Sequence, residues 1–94
     1  MVESNLDFEQ FREQKLAEGF DEVLERPWQP NFANDPHTHP FDTSAYVVEG
    51  EFWLEQDGTV QHLQAGDRFE LGRNIRHSER YGPEGALFWA ARKN

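Results

Sequence analysis

The pattern of apolar and polar positions changes once along the chain. Near the start, Phe8, Phe11 and Leu16 lie within about 140° of one another on a wheel of ~100° per residue, which predicts one amphipathic helix over about residues 8–18. Asp7 followed by Gln10 has capping-box spacing, with Asp in place of the usual Ser or Thr. Leu6, just before the cap, can pack on Phe11 at the fourth helical position, and Gly19 stops the helix. An apolar stripe of this kind must dock on something, so the helix is expected on the outside of a domain.

Beyond Gly19 the helical period does not return. Short runs rich in Val, Phe, Trp and Tyr alternate with turn residues at intervals that suit an antiparallel β protein. Strands are expected at Val23–Trp28, through His37–His39, and at Ala45–Val48, Glu51–Gln56, Thr59–Leu63, Arg68–Leu71, Arg76–Tyr81 and Ala86–Ala91. Asp57-Gly58 is a hairpin signal, and the other glycines and the prolines mark the remaining turns. The expected organisation is an N-terminal helical segment over 1–19 and an all-β domain over 20–94.

A chain of 94 residues has surface enough for a single core, so two independent domains are excluded. Its net charge of −9 opposes binding to phosphate backbones and anionic lipid heads, which makes nucleic acid and membrane surfaces poor partners. Without cysteine there is no disulfide framework, thiolate metal site or thiol nucleophile. The first ten residues lack the basic start and apolar stretch of a signal peptide, so the expected compartment is the cytoplasm.

Histidine carries the remaining chemistry. In His37-Thr38-His39 an extended backbone would send both imidazoles to one face, where they can chelate one ion. His-x-His also arises on solvated strands, so the pair alone leaves both readings open. A third histidine, His77, stands in the frame QAGDRFELGRNIRH.

With these residues placed, the chain resembles the cupins, small double-stranded jelly-roll barrels. Their first motif, G-x5-H-x-H-x3/4-E-x6-G, is similar to the run through Asn31, His37, His39 and Gly50. Their second, G-x5-P-x-G-x2-H-x3-N, is similar to the run from Gly66 to His77. The motifs cover residues 31–81, and flanking strands extend the likeness over roughly 20–94. The resemblance implies a cupin barrel of about eight strands and His37, His39 and His77 as metal ligands.

Several positions depart from the pattern. Asn31 replaces the first Gly, and Gly72 and Asn74 stand where Pro and Gly are usual; all are turn-formers. Tyr81 replaces the final Asn. Thr43 occupies the usual Glu position and is not a normal ligand for a transition metal, which leaves the fourth ligand open. Asp42 is adjacent, yet strand alternation would aim it at the other face unless a bulge intervenes.

Three neutral imidazoles leave an ion its full charge and open positions for an anion, an enolate or dioxygen. Imidazoles suit Fe, Ni, Cu and Zn, and the resemblance adds Mn, so the expected cofactor is one divalent ion of Fe, Mn, Ni or Zn. His62 matches no ligand position and is expected to face solvent. Tyr46, Phe52, Phe69, Phe88 and Trp89 are expected to be mainly core, with some beside the metal. Arg73, Arg76 and Arg80 flank His77 as candidates to bind a carboxylate, or as a solvated edge. No G-x-S-x-G elbow exists for a serine nucleophile.

The resemblance therefore implies a metal-binding cupin, either an oxygenase- or isomerase-type enzyme acting on a small organic molecule or a non-catalytic binding or sensing module. A third reading makes the histidines polar fillers of the barrel. A small-molecule ligand is the expected partner, and a barrel with so little material to cover its edges is expected to form a homodimer.

Overall fold

The computed structural model describes residues 6–94; residues 1–5, on which part of the reading of the chain start falls, lie outside the described residues. Helix α1 (Phe8–Ala17) begins at the expected capping box. Asp7 Oδ1 accepts from the Gln10 backbone N–H at 2.8 Å, and the Asp7 N–H donates to Gln10 Oε1 at 3.0 Å. Gly19, at φ +103°, lets the chain leave the helix in the left-handed region.

Five antiparallel strands follow: β1 (Glu22–Trp28), β2 (Asp42–Gln56), β3 (Thr59–Gln64), β4 (Arg68–Leu71) and β5 (His77–Lys93). Their order is β1-β5-β2-β3, with β4 also paired to β2. Eight expected segments become five because two of the expected breaks are bends within continuous strands and one expected strand does not form. Gly50 pairs with Ala86 and Phe52 with Tyr81, so residues 82–85 bulge out opposite Glu51 while pairing continues on both sides. Gly50 (φ +80°) and Gly85 (φ +71°) make this corner feasible: a Cβ on Gly50 would collide with the Gly85 carbonyl, and one on Gly85 with the Trp28 carbonyl. The missing strand is His37–His39, whose only ladder contact among the described residues is the bridge of His37 with His77.

Both faces of the β2–β5 pair are covered. Ala45, Val47, Phe52, Leu54, Phe88 and Ala90 point into the main core, while Tyr46, Trp89 and Ala91 point the other way, onto Phe11 of α1. Two-sided burial accounts for the unbroken apolar runs Ala45–Val48 and Ala86–Ala91. Leu6, Phe8, Phe20 and Val23 complete the outer cluster.

The helical stripe differs from expectation at one position. Leu16 is 36% exposed, whereas Lys15 is buried. On the wheel Lys15 falls between Phe8 and Phe11, and Leu16 lies ~80° beyond Phe8, off the docked face. The Lys15 stem covers apolar surface while its ammonium reaches Glu18 at 3.2 Å and sits 5.4 Å from the Phe20 ring centre. Among the described residues, no helix is long and apolar enough to cross a membrane.

Candidate metal centre

His37 and His77 face each other as a hydrogen-bonded antiparallel pair. The His37 N–H donates to the His77 carbonyl at 2.8 Å, and the His77 N–H to the His37 carbonyl at 2.9 Å. Residues directly opposite in such a pair project to the same side, which brings the two rings to a centroid distance of 4.3 Å. His39, two residues on, follows to that side, with ring centres 4.9 Å from His37 and 5.0 Å from His77. The turn after β4 fixes its backbone: Asn74, at φ +63°, donates its N–H to the His39 carbonyl at 2.7 Å. Asn31 also adopts the left-handed region, at φ +59°, as its place in the motif requires.

One potential ligand atom from each of His37, His39 and His77 lies within 4.8 Å of the others. The tautomers follow from hydrogen bonding. His37 Nδ1 is 2.7 Å from the Asp35 carbonyl and His77 Nδ1 is 2.9 Å from the Ile75 carbonyl. A carbonyl only accepts, so each Nδ1 carries a proton, and in the neutral ring Nε2 then carries the lone pair. His77 Nε2 is buried and has no hydrogen-bond partner among the described residues. A buried acceptor left without a partner is costly, and a cation would satisfy it. Burial, followed by the neighbouring His77 and His37, holds the His39 pKa below the usual imidazole value and so favours its ligating form.

The rings open onto a cavity of about 90 Å³ that is walled by Trp28, Phe41, Phe69, Leu71 and Phe88 among others. Drug-sized pockets run to roughly 300–1,000 Å³, so this one suits a small molecule. Thr43 lines it, as its place in the motif requires, and Asp42 does not. The Asp42 carboxylate instead accepts from the Arg73 backbone N–H at 2.8 Å and from its guanidinium at 3.1 Å, and these bonds hold its pKa below the ordinary range. Alternation therefore holds at this point, and Asp42 is removed as a candidate ligand.

All three arginines flanking His77 are exposed, the solvated edge of the two expected readings. Arg73 is tied to Asp42, Arg80 lies over the Trp53 ring at 4.5 Å, and Arg76 borders a separate cleft. The cations in the cavity wall are Arg26 and Arg92. Alternation from Trp28 and from Phe88 could have found them. His62 is exposed as expected, stacked on Trp53 and 2.8 Å from Glu51. Of the candidate aromatics, Phe69 and Phe88 line the cavity, Phe52 is core, and Tyr46 and Trp89 lie under the helix.

One polar residue of the wall, Glu79, had no part in the sequence reading. It is buried, and Asn34 clamps it by donating Nδ2–H to its Oε1 at 2.6 Å and accepting its backbone N–H at 2.8 Å. Two residues beyond His77 on β5, it shares the inward face.

No family model matches the chain, and no curated protein does. Solved structures do. An RmlC-like cupin from Shewanella frigidimarina NCIMB 400 is 26% identical with a TM-score of 0.67, the match covering 78% of this chain and 66% of that one. KdgF from Halomonas sp. is 23% identical with a TM-score of 0.66, covering 78% and 68%. A structure described as DMSP lyases RdDddP and RnDddQII is 18% identical with a TM-score of 0.71, covering 78% of this chain but 38% of that one. The chain thus spans about two thirds of the length of the first two. The bent five-stranded sheet, the two motifs and the shared backbone geometry lead to one conclusion: the chain has the fold of a small cupin-type domain.

Proposed function

We propose that His37, His39 and His77 hold one divalent ion of Fe, Mn, Ni or Zn, and that the domain is a metal-dependent enzyme, of oxygenase or isomerase type, acting on a small organic molecule. The observation that carries this reading is the buried His77 Nε2, whose lone pair has no partner and whose ring is held by the Ile75 carbonyl in the ligating tautomer. His37 is held in the same way by Asp35. When bound, the ion supplies Lewis acidity toward an oxygen of the ligand.

The chain's own residues would do the rest. Trp28, Phe41, Phe69 and Phe88 keep the surroundings of the ion apolar, which strengthens electrostatic attraction inside the cavity. Arg26 and Arg92 place positive charge on the wall, where an anionic group of the ligand would be favoured. The narrow volume excludes a large substrate from the interior.

Metal analysis of protein purified without chelators tests the reading. The expected result is close to one ion per chain, lost in His37→Ala and in His77→Ala. Metal content near zero in the wild type, or undiminished in either variant, would overturn it.

A further inference from the structure

We infer that Glu79, rather than Thr43 or Asp42, supplies the carboxylate ligand of the metal site, through Oε2. The inference rests on the three-histidine reading above and adds a fourth ligand to it. It starts from two neighbouring groups, a buried nitrogen without a hydrogen-bond partner and a buried carboxylate held by a neutral amide. His77 Nε2 is buried without a partner. The Glu79 carboxylate is 9% exposed, its Oε1 is hydrogen-bonded only to the neutral amide of Asn34, and its one ion-pairing neighbour among the described residues is His77. A buried carboxylate without a cation costs several kcal/mol unless a positive charge compensates it. One cation between the two groups satisfies both.

The spacing agrees. Glu79 Oε2 lies 3.9 Å from His77 Nε2, too far for a hydrogen bond. Two donors that each sit about 2.0–2.2 Å from one ion are separated by roughly 3 to 4.3 Å, according to the angle between them. The distance falls inside that range. Glu79 stands outside the group of donor atoms that lie within 4.8 Å of one another, so binding requires Oε2 to move toward His37 and His39. Asn34 grips the other oxygen and leaves Oε2 free for that movement.

The alternatives for this role are weaker. Asp42 is exposed and held by Arg73, and Thr43 offers a neutral hydroxyl. A carboxylate from β5 would thus replace the one that related motifs place on the strand carrying Thr43. It would lower the charge of the centre by one and leave the Thr43 side of the cavity for the ligand.

The test uses the full chain, stripped with a chelator and titrated with Co²⁺. Glu79→Gln keeps the size of the side chain and its contact to Asn34 but removes the charge. Calorimetry should show at least tenfold weaker Co²⁺ binding than in the wild type, and the visible absorption of bound Co²⁺ should change as the ligand set changes. Binding within twofold of the wild type with an unchanged spectrum would overturn the inference while leaving the three-histidine site standing. Failure of the wild type to bind Co²⁺ would overturn both. A crystal structure of the Co²⁺-loaded wild type decides the matter if the variant does not fold. A Glu79 oxygen about 2.0–2.3 Å from the ion supports the inference, and one beyond about 3 Å refutes it.

Discussion

Replacing Phe11 with Ala probes how firmly the helix is bound to the sheet. The Phe11 side chain is fully buried, with its ring centre 5.8 Å from that of Trp89 and 6.3 Å from that of Tyr46. A buried aromatic removes roughly 150–250 Å² from water, which at about 25 cal/mol per Å² is ~4–6 kcal/mol. Discounting by 10–40% for residual burial in the unfolded chain leaves about 3–5 kcal/mol, the range typical of Phe→Ala changes in cores. Against the roughly 5–15 kcal/mol that holds a domain of this size together, the loss is a large share. At about 4–8 °C per kcal/mol, it lowers the Tm by more than 12 °C. Leu16→Ala is the internal control, since that side chain is 36% exposed, and its expected cost is under about 1 kcal/mol. Urea and thermal unfolding of both variants give the answer. A Phe11→Ala loss below about 1.5 kcal/mol, or a Leu16→Ala loss of equal size, would show that the helix rests on the sheet without being held by this ring.

Three further outcomes follow from the geometry. Gly50→Ala should destabilise the protein more than Gly58→Ala by over about 1 kcal/mol in urea melts: both positions have positive φ, but only at Gly50 would the added carbon strike backbone. Asp42→Asn should leave metal affinity within twofold of the wild type by calorimetry. The lowered Asp42 pKa means that its contribution to stability is present above the ordinary carboxylate value near 3.8 and disappears as pH falls through the depressed one, so the variant's melting temperature should fall less steeply with acid in that window. Deletion of residues 1–18 should retain the β signal in circular dichroism while shifting tryptophan emission to the red, because Trp89 loses its cover; loss of the β signal would show that the barrel needs the helix.

Much of the architecture could be read from residue types. The capping box at Asp7 and the hairpin at Asp57-Gly58 each depend on local chemistry that a sequence displays directly, whereas His77 joined His37 and His39 only through the resemblance to two spaced motifs. The number of strands could not be read in this way. Gly50 and the stretch 82–85 look like breaks, and whether the ladder resumes beyond them is decided by partners far away in sequence. Lys15 in the docked stripe was hidden by its charge, although its wheel position lay between two phenylalanines. Glu79 was hidden for a similar reason. The run His77-Ser78-Glu79-Arg80-Tyr81 puts Glu79 on the same face as His77, but a glutamate among charged neighbours reads as surface until its burial is known.

The exchange of two backbone hydrogen bonds between His37 and His77 also bears on when the site can exist during folding. These residues are 40 positions apart (77 − 37), so joining them closes a loop whose entropic cost, scaling as (3/2)RT ln n, includes a length-dependent part of about 3 kcal/mol. An unfolded chain offers an ion only the local pair of His37 and His39, a bidentate grip far weaker than the assembled triad. Ligand assembly therefore belongs with the long-range pairing that makes all-β chains fold slowly, and an ion bound across residues 37 and 77 would act as a clasp on the completed fold, slowing its opening more than it hastens its formation.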